Sequence, residues 1–534
     1  MSAPHRDVRS SDRLPDAAEL CASIETLVAS LYPNLRNRGR VGMDTTLERD
    51  LGLDSLSRVE LMTRIEREFG ASMSEREMAE AETPRDILRA LRSSADRKKG
   101  AQPAALAPAA ESAEAELDVS GEAPGDATNL VDALLWHIRA HPQRTHVHLL
   151  DEDAGPRRLS YAELLSKSQA FAAGLQAHGH EPGEAVAIML PTGFDYLASF
   201  VAILLVGGIP VPIYPPARIA QIEDHFRRQA GILNNARVTT LVTFDQAKQV
   251  TRLLASLVES LKTVVTADEL GGHGTLLNIS PVSPDRIAFL QYTSGSTGNP
   301  KGVVLTHGNL MSSLDSMRQA LAVSASDVFV SWLPLYHDMG LIGAWLGSVV
   351  YGFPLILMSP LSFLRRPESW LKAIQDYGGT ISGGPNFAFE LCVRRIREED
   401  IEGLDLSAWR LAFNGAEPVS PSTLAAFAER FKPFGFEPRA LTPVYGLAEA
   451  TLGVAFTPVN RGPRVDRIKR DVLARAGKAE PADADDSDVA EYVSNGVPIP
   501  EFEVRIVDDT GHEAGEREEG ALEFKGPATT SGYF

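Results

Sequence analysis

The chain has few of the features that mark secreted or nucleic-acid-binding proteins. Only two cysteines, Cys21 and Cys392, occur among its 534 residues, which excludes a disulfide scaffold and fits a reducing cytoplasm. Acidic residues outnumber basic ones, 71 to 52, for a net charge of −19. Because phosphate backbones bind to basic surfaces, we expect no nucleic-acid partner. The composition, 44% hydrophobic and 23% charged, is ordinary for a globular protein with more than one domain.

Long apolar runs are also missing. The N-terminus, MSAPHRDVRSSDRLPD, is polar and lacks the apolar centre of a signal peptide. The most apolar stretch, residues 196–214, ends in two glycines and two prolines, whereas a membrane span needs about 20 uninterrupted apolar residues. We therefore predict a buried helix, a turn and a strand there, and a cytoplasmic protein without stable membrane insertion.

Residues 15–95 are predicted to form a four-helix domain. PDAAELCASIETLVASLYP has helical periodicity. The apolar residues of a second helix fall on one face: Leu56, Val59, Met62, Ile65 and Phe69. TPRDILRALR predicts a further helix, with Thr83 as N-cap, Pro84 at the first helical position and Asp86 three residues after the cap.

The rest of the chain divides into a linker and a large α/β region. Residues 96–128 are rich in Ala, Pro, Glu and Gly, which predicts a flexible linker. From 129 to 534, strand-like runs alternate with helical patterns, which favours substantial parallel sheet. The runs are EAVAIML, VTTLVTF, RIAFLQYT, PLILMS, GTISGG and WRLAFNG. A polar, acidic stretch at 475–490 interrupts the alternation.

A glycine-rich stretch, YTSGSTGNPKG at 292–302, follows one of the predicted strands. Its glycines permit close backbone approach, and its hydroxyls, amides and lysine suit a triphosphate. The residues concerned are Thr293, Ser294, Gly295, Ser296, Thr297, Gly298 and Lys301. The spacing differs from that of a Walker loop. The alternative interpretation is a flexible surface turn.

This stretch resembles the phosphate-loop motif of the adenylate-forming enzymes, the superfamily of acyl-CoA synthetases, luciferases and peptide-synthetase adenylation domains. Later motifs of that superfamily follow in order: SWLPLYHDMGLIG (331–343), NGAEPV (414–419), YGLAEATLG (445–453) and GALEFKGPATTSGYF (520–534). LPLYHDMGLIG, SGGPNFAFELCVRR (382–395) and YGLAEATLG resemble the fatty acyl-AMP ligases in particular. Residues 473–496 resemble the insertion that distinguishes those ligases from CoA ligases.

The resemblance covers about residues 130–534 and implies the large α/β domain of an adenylate-forming fold. It implies that residues 293–298 and Lys301 hold the phosphates of ATP. Three residues, Gly415, Ala416 and Glu417, would border the adenine, and Tyr445 would stack on it. Glu449 would hold Mg²⁺, and His337 would lie near the reacting carboxylate. FAFELC and GLIGAWLG are predicted to wall an alkyl chain.

Each of these residues also has a simpler interpretation when taken alone. Tyr445 is then a core aromatic residue, Glu449 a solvated helix residue and His337 a structural histidine. Only the joint pattern favours Lys301, His337 and Glu449 as a catalytic set.

LGLDSLSRVEL, residues 51–61, places Ser55 at the start of a predicted helix. It resembles the phosphopantetheine attachment site of acyl carrier proteins, and helix amides favour a bound phosphate. The alternative is an N-cap serine with no other role.

Together the two resemblances imply a carrier domain fused to a fatty acyl-AMP ligase. Such a protein would use ATP and Mg²⁺ to activate a fatty acid. It would pass the acyl group to a 4′-phosphopantetheine thiol on a carrier in cis or in trans, for polyketide, lipopeptide or specialised lipid synthesis. A phosphopantetheinyl transferase is then an expected partner.

Three alternatives stay open. A long-chain acyl-CoA ligase is disfavoured by the insertion-like stretch. An amino-acid adenylation domain typically has an aspartate in the substrate pocket, which WLPLYHDMG does not resemble. The third alternative is a non-catalytic carrier scaffold.

In the family a small C-terminal lid carries a catalytic lysine, and a ribose-binding aspartate precedes it. Neither is expected in this chain, because Asp508 and Asp509 come too early to be that aspartate. We expect a fragment of a longer protein, which adenylates poorly by itself.

Overall fold

The computed structural model describes most of the chain, with gaps. The described residues are 15–31, 41–47, 50–51, 53, 61, 64–65, 68–69, 81, 83–97, 117, 122–151, 155–215, 222–248, 256–276, 278–293 and 300–534. Several sequence predictions lie outside them: Ser55, Leu56, Val59, Met62, Ser294, Gly295, Ser296, Thr297, Gly298 and most of the linker 96–128. The described residues form two compact units, one up to residue 97 and one from residue 117.

In the first unit, the structure describes two helices, α1 (Ala17–Leu31) and α2 (Pro84–Arg97). Helix α2 begins as predicted. The Thr83 hydroxyl accepts from the amide of Asp86 at 3.4 Å, and the Asp86 carboxylate accepts from the amide of Thr83 at 3.1 Å. This reciprocal pair satisfies amides that have no partner inside the helix.

The two helices share one apolar core. Its buried members are Leu20, Ile24, Leu27, Val41, Leu47, Leu51, Leu53, Leu61, Ile65, Ala81, Ile87, Leu88 and Leu91, and Phe69 packs against them. Two of the predicted face positions, Ile65 and Phe69, therefore point toward the core. At the surface, Arg85 donates to both carboxylate oxygens of Asp44 at 2.8 Å.

The second unit alternates helices and strands. Its helices are α3 (Leu130–Ala140), α4 (Tyr161–Ala177), α5 (Phe194–Leu205), α6 (Ile222–Asn235), α7 (Asp245–Lys248), α8 (Ala267–Leu270), α9 (His307–Leu321), α10 (Gly347–Tyr351), α11 (Pro360–Arg365), α12 (Glu368–Asp376), α13 (Asn386–Arg395), α14 (Pro421–Phe431) and α15 (Arg470–Ala476). A π-helix spans Met339–Leu346, and 3₁₀ turns span Glu398–Ile401, Lys432–Phe434, Pro438–Ala440 and Ala448–Ala450.

The strands of this unit are β1 (Thr145–Leu150), β2 (Arg157–Ser160), β3 (Ala185–Ile188), β4 (Ile209–Pro212), β5 (Val238–Thr243), β6 (Thr263–Thr266), β7 (Ile287–Thr293), β8 (Lys301–Thr306), β9 (Phe329–Ser331), β10 (Leu355–Met358), β11 (Ile381–Gly384), β12 (Leu411–Asn414), β13 (Leu441–Leu447), β14 (Leu452–Phe456), β15 (Val465–Lys469), β16 (Val489–Val493), β17 (Val497–Pro498), β18 (Glu503–Val507) and β19 (Ala521–Lys525). Each strand-like run predicted from sequence contains one of them.

Within the described residues, the largest sheet has the order β17-β14-β13-β12-β11-β9-β10-β1-β2. Its centre, from β1 to β13, is parallel, which confirms the predicted parallel α/β architecture. The edge strands β2, β14 and β17 pair antiparallel. A second, fully parallel sheet has the order β4-β3-β5-β6.

The glycine-rich stretch connects an antiparallel pair, β7 and β8, in which Thr293 lies opposite Lys301. Two further antiparallel pairs, β15–β16 and β18–β19, follow the large sheet. The interruption predicted at 475–490 is only partly irregular, because α15 continues to Ala476 and β16 begins at Val489.

The apolar stretch 196–214 is buried inside this unit. It contains most of α5, a glycine turn at Gly207 with φ of 74° and strand β4. This confirms the predicted helix, turn and strand. Among the residues described, no helix combines the length and the apolar character that crossing a membrane requires.

Candidate active site

A polar cluster forms where β8, the loop after β9 and the β13–β14 hairpin come together. The hairpin is tight: a Cβ at Gly446 would lie 1.7 Å from the carbonyl oxygen of Leu452, so only glycine fits. The turn that follows, Ala448–Ala450, carries Glu449. The backbone at Thr451 is left-handed, with φ of 53°, and its hydroxyl donates to the carbonyl of Ala528 at 2.6 Å. These contacts fix the position of Glu449.

Glu449 and Lys301 contact the same residue. The hydroxyl of Tyr533 donates to the Oε1 atom of Glu449 at 2.7 Å, and the Nζ atom of Lys301 lies 4.8 Å from the Tyr533 ring centroid. The structure thus brings together two predicted site residues from distant parts of the sequence. Tyr533 was not among the site residues predicted from the sequence.

The loop after β9 presents His337 and Asp338 to this cluster. Two side chains hold the loop: Tyr196 donates to the carbonyl of Leu335 at 2.7 Å, and Gln291 donates to that of Tyr336 at 3.0 Å. Burial raises the pKa of the Asp338 carboxyl. Glu449 adds to the rise and His337 opposes it. Asp338 therefore lies within electrostatic reach of Glu449. Sequence reasoning gave no role to Asp338, although it adjoins the predicted His337.

Tyr445 and Ala416 lie on the other side of the cluster. Burial, and secondarily Glu449, raise the pKa of the Tyr445 phenol, so this tyrosine also lies close to Glu449. Ala416 has a left-handed backbone, with φ of 68°, which is uncommon for a residue with a Cβ and often occurs at functional sites. Neighbouring Glu417 accepts from the backbone amide of Phe387 at 2.6 Å, which ties this loop to the start of α13.

An apolar cavity of about 120 Å³ opens beside the cluster. Asp338, Ala416 and Tyr445 line it where the cluster lies. The remaining walls are largely apolar: Met317, Leu321, Val323, Phe329, Met339, Gly343, Tyr351, Phe353, Ile381, Phe413, Val444, Gly446, Leu452, Gly453 and Phe456. The cavity therefore suits a ligand with a polar end and a long apolar body.

The two predicted wall segments have different outcomes. GLIGAWLG contributes Gly343 to the cavity, whereas no residue of FAFELC lines it. Phe389 packs instead in an aromatic cluster with Trp370, Trp409 and Phe427. The apolar face of FAFELC thus packs α13 against its neighbours, and its role as a wall of the alkyl chain stays a prediction.

The wall near Gly343 is formed by the π-helix. Its wider turn is compatible with a close approach at its start, where a Cβ on Gly340 would lie 2.2 Å from the carbonyl oxygen of Pro334. Such helices are rare and occur often at functional sites. The sequence run MGLIGAWL reads equally well as an ordinary helix, so periodicity does not reveal this feature.

Two protein families match different parts of the chain. Residues 134–534 match the AMP-binding enzyme family, and residues 24–91 match the phosphopantetheine attachment site. The chain belongs to the AMP-binding enzyme family.

Among individual proteins, the chain is similar to ligases that act on fatty acids according to their names. The chain is 36% identical to the long-chain-fatty-acid–AMP ligase FadD32 of Mycolicibacterium smegmatis, over 72% of this chain and 61% of that protein. It is 34% identical to the medium-chain-fatty-acid–[acyl-carrier-protein] ligase JamA of Moorena producens, over 71% of this chain and 65% of that protein. The alignments thus span less than two thirds of the length of these relatives.

A solved structure has the same fold. It is the fatty acyl-adenylate ligase from L. pneumophila in complex with acyl adenylate and pyrophosphate, 34% identical with a TM-score of 0.69. The match covers 77% of this chain and 71% of that one.

Proposed function

We propose that the chain activates a fatty acid with ATP and transfers the acyl group to a phosphopantetheine thiol on a carrier domain. The observation that carries this proposal is the apolar cavity that opens at the cluster of Lys301, Glu449 and Tyr445. An alkyl chain fits the cavity, and its carboxylate then lies at the polar end. The similarity to ligases named for fatty acids supports the same substrate class.

The first step joins two anions. A carboxylate oxygen of the fatty acid attacks the α-phosphorus of ATP, the bond to the bridging oxygen breaks, and pyrophosphate leaves. Lys301 reduces the repulsion with its positive charge. Thr293 lies opposite it in the β7–β8 pair, and residues 294–298 complete the proposed phosphate loop.

Mg²⁺ would be held by Glu449 and would supply charge compensation on the phosphates. In the part of the chain that the structure describes, no group of three or more His, Cys, Asp or Glu side chains forms a metal site. A single carboxylate fits Mg²⁺, because this ion is commonly bound by one or two carboxylates together with nucleotide phosphates.

The remaining residues of the set orient the reactants. Tyr445 stacks on the adenine, and the backbone at Gly415, Ala416 and Glu417 borders it. His337 lies beside the reacting carboxylate. The apolar cavity keeps water away from the acyl adenylate, which water would otherwise hydrolyse.

In the second step a thiolate attacks the acyl carbonyl, the carbonyl–oxygen bond to the phosphate breaks, and AMP leaves. We propose that Ser55, within the matched range 24–91, carries the arm after modification by a phosphopantetheinyl transferase. The proposed organisation is a carrier domain at 15–95, a linker at 96–128 and an adenylation domain at 129–534. The linker raises the local concentration of the thiol if its length spans the gap.

Binding of Mg-ATP tests the nucleotide site. A ligand bound only to the folded protein raises its melting temperature, so Mg-ATP should stabilise the wild type. Lys301→Ala and Glu449→Ala should weaken that response. The matched controls are Lys525→Ala and Glu503→Ala, which remove an exposed ion pair of 3.1 Å between β18 and β19. Equal responses in all five proteins would contradict this site.

Formation of AMP then tests the substrate class. With dodecanoate and hydroxylamine present, the wild type should form dodecanoyl hydroxamate and release AMP, at a low rate because this chain is expected to adenylate poorly by itself. AMP release that does not depend on a fatty acid would contradict the proposed activation step.

A further inference from the structure

Residues 530–534 run along the edge of β8. The amide of Val304 donates to the carbonyl of Gly532 at 3.1 Å, and the amide of Phe534 donates to that of Gly302 at 2.8 Å. The hydroxyl of Thr530 donates to the carbonyl of Val304 at 2.6 Å. These bonds fix the backbone on both sides of Tyr533, which lies opposite Val303.

The same segment is also bonded to the turn that carries Glu449. The amide of Thr530 donates to the carbonyl of Glu449 at 2.8 Å. Backbone contacts therefore hold residue 533 between the strand of Lys301 and the turn of Glu449. The Tyr533 side chain meets both of them, through its hydroxyl at Glu449 and its ring at Lys301.

Packing does not explain this side chain. Tyr533 is 50% exposed, so its ring contributes little to the core. Its hydroxyl makes a specific polar contact, because it donates a hydrogen bond to the Oε1 atom of Glu449. Among the described residues, the Oε2 atom accepts no hydrogen bond. A hydrogen bond to one oxygen of a metal-binding carboxylate restricts its rotation and orients the other oxygen.

The ring acts on Lys301 in a different way. An ammonium group near the face of an aromatic ring is attracted by the electrons of the ring. This contact restricts the rotamers of the long Lys301 side chain before the nucleotide binds. Binding of the phosphates then costs less side-chain entropy.

We propose that Tyr533 is a positioning residue of the adenylation site. Its hydroxyl orients the Glu449 carboxylate for Mg²⁺, and its ring orients the Lys301 ammonium for the triphosphate. The proposal rests on the proposed function of this site. The hydroxyl and the ring have different proposed roles, so one substitution that removes only the hydroxyl and another that also removes the ring can distinguish them.

The experiment measures the Mg²⁺ concentration that gives half of the thermal stabilisation by ATP. Tyr533→Phe removes only the hydroxyl and should raise this concentration about tenfold, with an unchanged response at saturating Mg²⁺. Tyr533→Leu also removes the ring and should weaken the response to ATP at saturating Mg²⁺. Tyr492→Phe is the matched control, because Tyr492 is 53% exposed on β16 and lies outside the proposed site.

A second measurement separates positioning from a general effect on the fold. In the Glu449→Gln background, Tyr533→Phe should no longer change the Mg²⁺ dependence, because the two residues act through one contact. The melting temperature without ligand should be similar in Tyr533→Phe and the wild type.

Three results would overturn the proposal. If Tyr533→Phe has the wild-type Mg²⁺ dependence, or if its effect adds fully to that of Glu449→Gln, Tyr533 does not position Glu449. A wild-type chain that gives no stabilisation with Mg-ATP rejects the proposed function itself, and with it this inference. The two failures are distinguished by the response of the wild type.

Discussion

Acidification should unfold the second unit well above the pH at which most carboxylates titrate, because histidines are buried there in their neutral form. Burial lowers the pKa of His137 and His146 to about 3 and that of His148 and His307 to about 4. In the unfolded chain each should titrate near pH 6.5. Below that pH the unfolded state binds protons that the folded state does not, so stability is full above pH 6.5 and falls as the pH decreases.

The expected loss is large. Between pH 7 and pH 5, each of these histidines lowers the free energy of unfolding by close to 2 kcal/mol, so the four together lower it by roughly 7 to 8 kcal/mol. The total stability of a folded domain is typically about 5 to 15 kcal/mol. The second unit should therefore be close to unfolding at pH 5.

Tryptophan fluorescence during urea unfolding measures this effect. All five tryptophans lie between residues 136 and 409, so the signal reports the second unit alone. The urea midpoint should fall steeply from pH 7 to pH 5. His146→Gln should reduce the pH dependence by about a quarter, while its amide oxygen can still accept from Trp345, which donates to His146 at 3.2 Å.

The control is His178→Gln, which removes an exposed histidine and leaves the four buried ones in place. A loss of less than about 2 kcal/mol between pH 7 and pH 5 would refute the reasoning. So would an unchanged pH dependence in His146→Gln.

Three further predictions concern the proposed function. Incubation with a broad-specificity phosphopantetheinyl transferase and CoA should add one phosphopantetheine to the wild type by mass spectrometry and none to Ser55→Ala; a shift that persists in the variant would reject the attachment site. Met317→Trp should fill part of the cavity and shift the preference in fatty acid competition toward shorter chains, whereas an unchanged chain-length profile would place the alkyl chain elsewhere. Replacing residues 477–488 by a short Gly-Ser loop should raise acyl-CoA formation relative to acyl transfer onto a phosphopantetheinylated carrier; efficient acyl-CoA formation by the unaltered chain would instead favour the long-chain acyl-CoA ligase.

Local chemistry made several elements predictable. The start of α2 at Thr83 and Pro84 follows from hydrogen bonds within one helical turn. The apolar runs mark β3, β5, β10, β11 and β12 because each of these strands is buried. By contrast, the order of the large sheet depends on contacts between segments far apart in sequence. The acidic stretch at 475–490 was assigned as one interruption, although helix α15 and strand β16 reach into its two ends.

In the candidate site, too, local motifs were predictable and contacts between distant segments were not. Motif resemblance pointed to Lys301, Tyr445 and Glu449, and the structure brings Tyr445 and Glu449 into one cluster, with Tyr533 linking Lys301 to Glu449. Asp338 and Tyr533 were missed because motifs do not show that both lie near Glu449, which is distant from them in the sequence. The FAFELC segment shows the limit of pattern reasoning, because an apolar helix face does not specify whether it meets a ligand or a neighbouring helix.

The backbone pairing between β8 and residues 530–534 has a consequence for synthesis of the protein on the ribosome. Thr530 bonds to Val304, 226 positions earlier in the sequence, and the ring that meets Lys301 follows three residues later. A chain emerging from its N-terminal end can fold β7 and β8 long before this partner has been made. Until then one edge of β8 has unpaired amide and carbonyl groups, as the edge strand of a sheet does. The nascent chain should therefore need protection at β8, for example by a chaperone, until residue 534 has left the exit tunnel.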